Sequence, residues 1–171
     1  MNSAQAPAAL TRDAMLNAIA EVVLPGELAA AGRQKVVAAF LEWIASYKEG
    51  ADRGYGYGAS TLAAPTGASP AQRYPEQFAA LDTSAREKGA ASFAALPVDA
   101  RRSLIEAALN AGQGVTRLPA RPTGASVIAD LMGFYFNSAD AWNLAYGARI
   151  DRDSCRGLAG SEQPPAPIGG R

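Results

Sequence analysis

Apolar residues return every three or four positions in one stretch of this chain after another, and nowhere do they alternate singly with polar residues over a useful length. The first period belongs to helices with one buried face, and without the second there are no strands from which to build a sheet. The sequence therefore predicts an all-α protein, a compact bundle of about five to six helices with a long Gly-rich loop and an extended Pro-rich C-terminal tail. The stretch 126–158 organises the rest. In it Ile128, Leu131, Met132, Tyr135 and Phe136 fall on one stripe behind a Ser126 cap. Asn137-Ser138 then stops that helix and caps a short one carrying Asp140, Trp142, Leu144 and Tyr146.

Earlier segments repeat the pattern. Thr11 is placed to cap a first helix with Met15, Leu16, Ile19, Val22 and Val23 inward, ended by Leu24-Pro25-Gly26. A turn over 27–32 leads to a helix over 34–48 that buries Val36, Val37, Phe40, Leu41, Ile44 and Tyr47, with Trp43 off the stripe at an edge. Tyr74-Pro75-Glu76 opens a third helix with Phe78, Leu81 and Ala85 inward until Gly89. Phe93 and Leu96 form a short apolar step before Pro97 opens a fourth, with Leu104, Ile105, Ala108 and Leu109 inward. Residues 1–9 read as a disordered lead-in, 10–158 as the helical domain and 159–171 as an extended tail whose Pro-Pro-Ala-Pro run favours polyproline II.

Composition narrows the chemistry. The 171 residues include no histidine and one cysteine, which removes Ser-His-Asp and Cys-His triads, His-containing zinc and haem sites, an iron–sulfur cluster and an internal disulfide. A carboxylate pair remains possible in principle, but no Asp or Glu stands in a context that singles it out. With Lys+Arg 16 against Asp+Glu 16 the chain has no net field to draw it onto phosphate backbones, so nucleic acid is disfavoured. No apolar run approaches the roughly 18 to 20 residues that span a bilayer, and the start of the sequence has neither a basic, apolar-cored signal nor a twin-arginine pair. The expected location is cytoplasmic, or periplasmic if the chain is exported with a partner.

The candidate site residues are accordingly those of an interface. Trp142, Asn143, Tyr146, Arg149 and Arg156 are the residue types that dominate binding energetics, although the same aromatics could pack a corner of the core. In the loop over 50–74, Gly54-Tyr55-Gly56-Tyr57-Gly58 lacks the strand, the capped helix and the GK[ST] of a phosphate loop. Tyr55 and Tyr57 suit an adaptable binding surface instead.

The stretches LTRDAMLNAIAEVVLPG, FLEWIASY, YPEQFAALDTSAREKGAASFAALPVDARRSLIEAAL and GFYFNSADAWNLAYG, which together span most of residues 10–147, resemble the gluconate 2-dehydrogenase subunit 3 (gamma, small subunit) family. The resemblance implies a non-catalytic helical subunit that stabilises or matures a large FAD-dependent dehydrogenase of the glucose–methanol–choline type, acting on sugars, sugar acids or alcohols. It also implies that FAD sits in the large subunit, with none in this chain, and that a cytochrome c subunit accompanies many such complexes. Many relatives carry a twin-arginine signal on the small subunit, and this sequence departs from them there. The alternative expectation is a stand-alone helical ligand-binding or scaffolding module.

Overall fold

A computed structural model describes residues 6–47, 68–111 and 114–147, with side chains from Arg12 onward. Among them the regular structure is entirely helical: α1 (Ala6–Val23), α2 (Ala29–Ser46), α3 (Tyr74–Glu87), α4 (Val98–Asn110), α5 (Val127–Phe136) and α6 (Ala139–Tyr146), joined in part by short 3-10 turns. The chain divides into two compact units, Met1–Asn137 and Ser138–Arg171.

In the first unit α1 packs against α2, α4 and α5, α2 also meets α5, and α3 meets α4. Met15, Leu16, Ile19, Phe40, Phe93, Leu131 and Tyr135 fill the space between them, all essentially without solvent contact. Apolar burial of this kind stabilises by about 1.5–3 kcal/mol per large side chain. Helix ends follow the local chemistry. Pro75 stands in the first turn of α3, where no amide is needed, and Glu76 complements the positive end of the helix. At the other end Gly89 takes φ +80°. Its N–H donates to Arg86 and that of Ala90 to Ala85, at 2.9 and 3.0 Å, which is a complete Schellman closure.

Three expectations are corrected here. Helix α1 begins at Ala6, so Thr11 lies inside the helix rather than at its cap, and only residues 1–5 of the proposed lead-in fall outside the described residues. Helix α2 begins at Ala29, directly after the turn Gly26–Leu28, where alanine-rich sequence extends the helix upstream of position 34. Phe136 is not core: it is 40% exposed. It occupies the last residue of α5; the fully buried aromatic of that turn is Tyr135, and the half-buried Phe134 has its ring 5.4 Å from Phe40 and 6.4 Å from Trp43.

The second unit is described through α6. Ser138 caps it by accepting from the Ala141 N–H at 3.2 Å, and Gly147 closes it in the left-handed region at φ 58°.

Candidate functional site

The first unit holds a polar hub at the start of α5. Asp130 is wholly buried, and each of its oxygens is engaged. Oδ1 accepts from the Thr123 N–H at 2.9 Å and from the Thr123 hydroxyl at 3.3 Å. Oδ2 accepts from the Gly124 N–H at 2.7 Å and from the Tyr74 hydroxyl at 2.9 Å. A buried carboxylate persists only when donors replace its water, and here four do. Gln77 adds a second clasp, its amide donating to the Gly124 carbonyl at 2.9 Å while its oxygen accepts from the Val127 N–H at 2.6 Å. Together these bonds fasten the segment 119–126 to α3 and α5. Burial first, then the charge of Asp130 and the hydrogen bond to it, push the Tyr74 hydroxyl far above its ordinary pKa.

Two glycines make the close approach possible. Gly124 sits at φ +80°, and a Cβ there would stand 3.0 Å from the Pro70 carbonyl oxygen. A Cβ on Gly133 would stand 2.4 Å from the carbonyl oxygen of Pro119. Both neighbours are backbone, so neither can swing aside.

Beside the hub, α3, α4 and the start of α5 border an open cleft of about 420 Å³, lined among others by Ala80, Leu81, Ser84, Leu104, Ala107 and Ser126. Its size falls within the range of small-molecule sites. On the far side of α4, the buried Arg101 reaches back to α1, donating to the Ala18 carbonyl at 3.0 Å and to Glu21 at 2.7 Å.

The expected interface residues fall differently. On α6, Trp142 and Tyr146 come together, their rings 5.7 Å apart and within 12° of parallel, and they are 55% and 71% exposed. Asn143 stands half-buried on the same helix. Tyr55, Tyr57, Arg149 and Arg156 lie outside the described residues. Sequence reasoning missed Asp130 as a structural acid, although nothing in its bonding makes it one of a catalytic pair. Its signal was present as Thr123-Gly124 ahead of a capped helix, but the third donor, Tyr74, stands 56 positions away.

No helix among the described residues is long and apolar enough to cross a membrane. Comparison of the chain with family models, curated proteins and solved structures matched none of them.

Proposed function

We propose that this chain is a non-catalytic accessory subunit that docks through α6 onto a large FAD-dependent dehydrogenase of the glucose–methanol–choline type, in the cytoplasm or, exported with that subunit, in the periplasm. The observation that carries this reading is the outward Trp142–Tyr146 pair. Large aromatics in water forgo their burial energy, and on a partner's surface they become the residues whose loss weakens binding most. The hub supports the same reading. A general base must offer a lone pair to substrate, whereas the oxygens of Asp130 are taken up by donors of its own chain. In this reading the flavin and the oxidation of a sugar, sugar acid or alcohol belong to the large subunit, and a cytochrome c subunit would receive the electrons.

The test is co-purification with such a dehydrogenase. Trp142→Ala should weaken association by about 2 kcal/mol, roughly 30-fold, while the melting curve of the free chain stays put. Unchanged association for both Trp142→Ala and Tyr146→Ala would sink the docking role of α6. The second reading, a ligand-binding module, is favoured by the cleft between α3, α4 and α5. It gains ground if an apolar fluorophore binds the free chain and Ala107→Trp, which fills the cleft, abolishes the signal.

A further inference from the structure

We propose that the cleft between α3, α4 and the start of α5 binds an uncharged small molecule, an apolar body with one hydrogen-bonding group that Ser84 holds. Of the residues lining it, Leu81, Val127 and Ile128 are buried and Leu104 is half-buried, so the least exposed part of the cleft is apolar. Among the described residues no Asp, Glu, Lys or Arg lines it. A charged ligand would give up hydration there and gain no ion pair. Size decides between a small molecule and another chain. Twelve residues line the cleft, against roughly 20–30 a side in a stable protein interface, whereas its volume is that of small-molecule sites.

The polar groups of the cleft differ in what they have left to offer. Both ends of the Gln77 amide are committed, one to the Gly124 carbonyl and the other to the Val127 N–H. The Ser126 oxygen already accepts from the Ala129 N–H at 3.3 Å. Ser84 is different. It is half-buried, and among the described residues its hydroxyl has no hydrogen-bond partner, whereas the hydroxyl of its neighbour Thr83 folds back to the Ala79 carbonyl at 2.9 Å. That backbone bond is open to any serine within a helix. Ser84 leaves it unmade and so keeps both a donor and an acceptor for whatever enters the cleft. Gln77 also ties the cleft to the hub: it lines the one and clasps the segment that the other holds. A ligand packed against Gln77 should therefore slow opening of the clasp, read at the Val127 amide. The inference rests on the cleft being a ligand site and deepens that reading; it does not depend on docking through α6.

The experiment titrates the full chain into two fluorophores of one scaffold, neutral N-phenyl-1-naphthylamine and 8-anilinonaphthalene-1-sulfonate, which adds a fixed negative charge. The neutral probe has about 17 non-hydrogen atoms, and at the efficiency of drug-sized ligands its Kd should be on the order of 100 μM. The sulfonate should bind about tenfold more weakly, for want of a cation to meet it. Ser84→Ala, a change that favours the helix, should weaken the neutral probe about fivefold, the effect of one net hydrogen bond, with the melting curve unmoved. Hydrogen exchange at the Val127 amide should slow when the neutral probe is bound. Equal binding of the two fluorophores would overturn the ligand class while leaving the cleft a ligand site, and native affinity in Ser84→Ala would overturn the role of Ser84. Trp142→Ala/Tyr146→Ala removes the other apolar surface on which the probe could settle: if that variant loses the signal and Val127 exchange is unchanged, the probe sits on α6 and the inference falls. Absence of binding by either probe would end the ligand-binding reading together with the inference, and would leave docking through α6 as it stands.

Discussion

Helices α5 and α6 begin alike and end up opposite. Each follows a serine whose hydroxyl accepts a first-turn amide, and each carries an aspartate near its start. Yet seven residues of α5 are buried, Asp130 among them, whereas in α6 only Ala141 is. The apolar content of VIADLMGFYF against ADAWNLAY accounts for most of that burial, and the acids differ as well in where they sit. Side chains on a helix lean toward its N-terminus. Asp130, a full turn in from Ser126, therefore leans back onto the chain that enters the helix and meets the amides of Thr123 and Gly124. Asp140, two residues past Ser138, already stands at the rim and is exposed. The same capping chemistry thus starts one helix that is mostly buried and another that is mostly exposed.

The sharpest way to break this comparison is Asp130→Ala. It would strand the Tyr74 hydroxyl and the Gly124 amide, and each buried donor left without a partner costs about 1–3 kcal/mol. With the Thr123 amide also released, the expected loss is about 3 kcal/mol or more, a large part of the roughly 5–15 kcal/mol that holds a domain together. A urea melt measures it. Asp140→Ala should change the same curve by no more than about 0.5 kcal/mol, and equal losses from the two aspartates would end the contrast.

Next in size is Gly133→Ala. The added methyl would meet the Pro119 carbonyl at 2.4 Å, forcing segment 119–126 away from α5 at a cost of about 1–3 kcal/mol. Thermal melting shows the cost. Faster hydrogen exchange at the Gly124 amide, which donates to Asp130, should show that the hub itself has loosened.

The alkaline limb of stability sharpens the hub further. Folding holds the proton on Tyr74 above the ordinary tyrosine pKa, near 10. Below that value folded and unfolded chains carry the same proton and the contribution is fully present. Above it the unfolded chain loses the proton first, so stability should fall with pH by at most about 1.4 kcal/mol per unit from this residue. Tyr74→Phe should cost about 1 kcal/mol near neutrality and flatten that slope, read from urea midpoints between pH 9 and 11. An unchanged slope would mean that the proton is lost without unfolding.

Much of this was legible in the residues. The helices on the apolar period are all there, and Ser126, Ser138 and Gly89 mark ends where they should, because caps and stripes are local facts. What could not be read was set by distant partners. Phe134 and Phe136 flank the buried Tyr135 on α5, and only the placement of Phe40 on α2 decides that Phe134 finds a ring to pack against while Phe136 stays exposed. Arg101 looks like one more charge on a solvated face until α1 supplies Ala18 and Glu21. The Asp130 hub needs Tyr74 and Gln77 from α3 to show what the acid is for. On α6 the aromatics were singled out by residue type alone, and their stacking follows from the one-turn spacing of Trp142 and Tyr146.

The smallest expected effect tests the other half of the comparison. Trp142 is 55% exposed, so most of its surface is already in water and truncation forfeits little burial. A stacked pair one turn apart on a helix contributes about 0.2–0.5 kcal/mol. Trp142→Ala should therefore shift the melt of the free chain by no more than this, well below the loss from Leu131→Ala, a fully buried α5 residue worth about 2–5 kcal/mol. Phe136→Ala, at an exposed helix end, should fall between the two. If Trp142→Ala instead destabilised the free chain as much as Leu131→Ala, then α6 would be held by its aromatics, and its tryptophan could not serve as a surface kept open for another molecule.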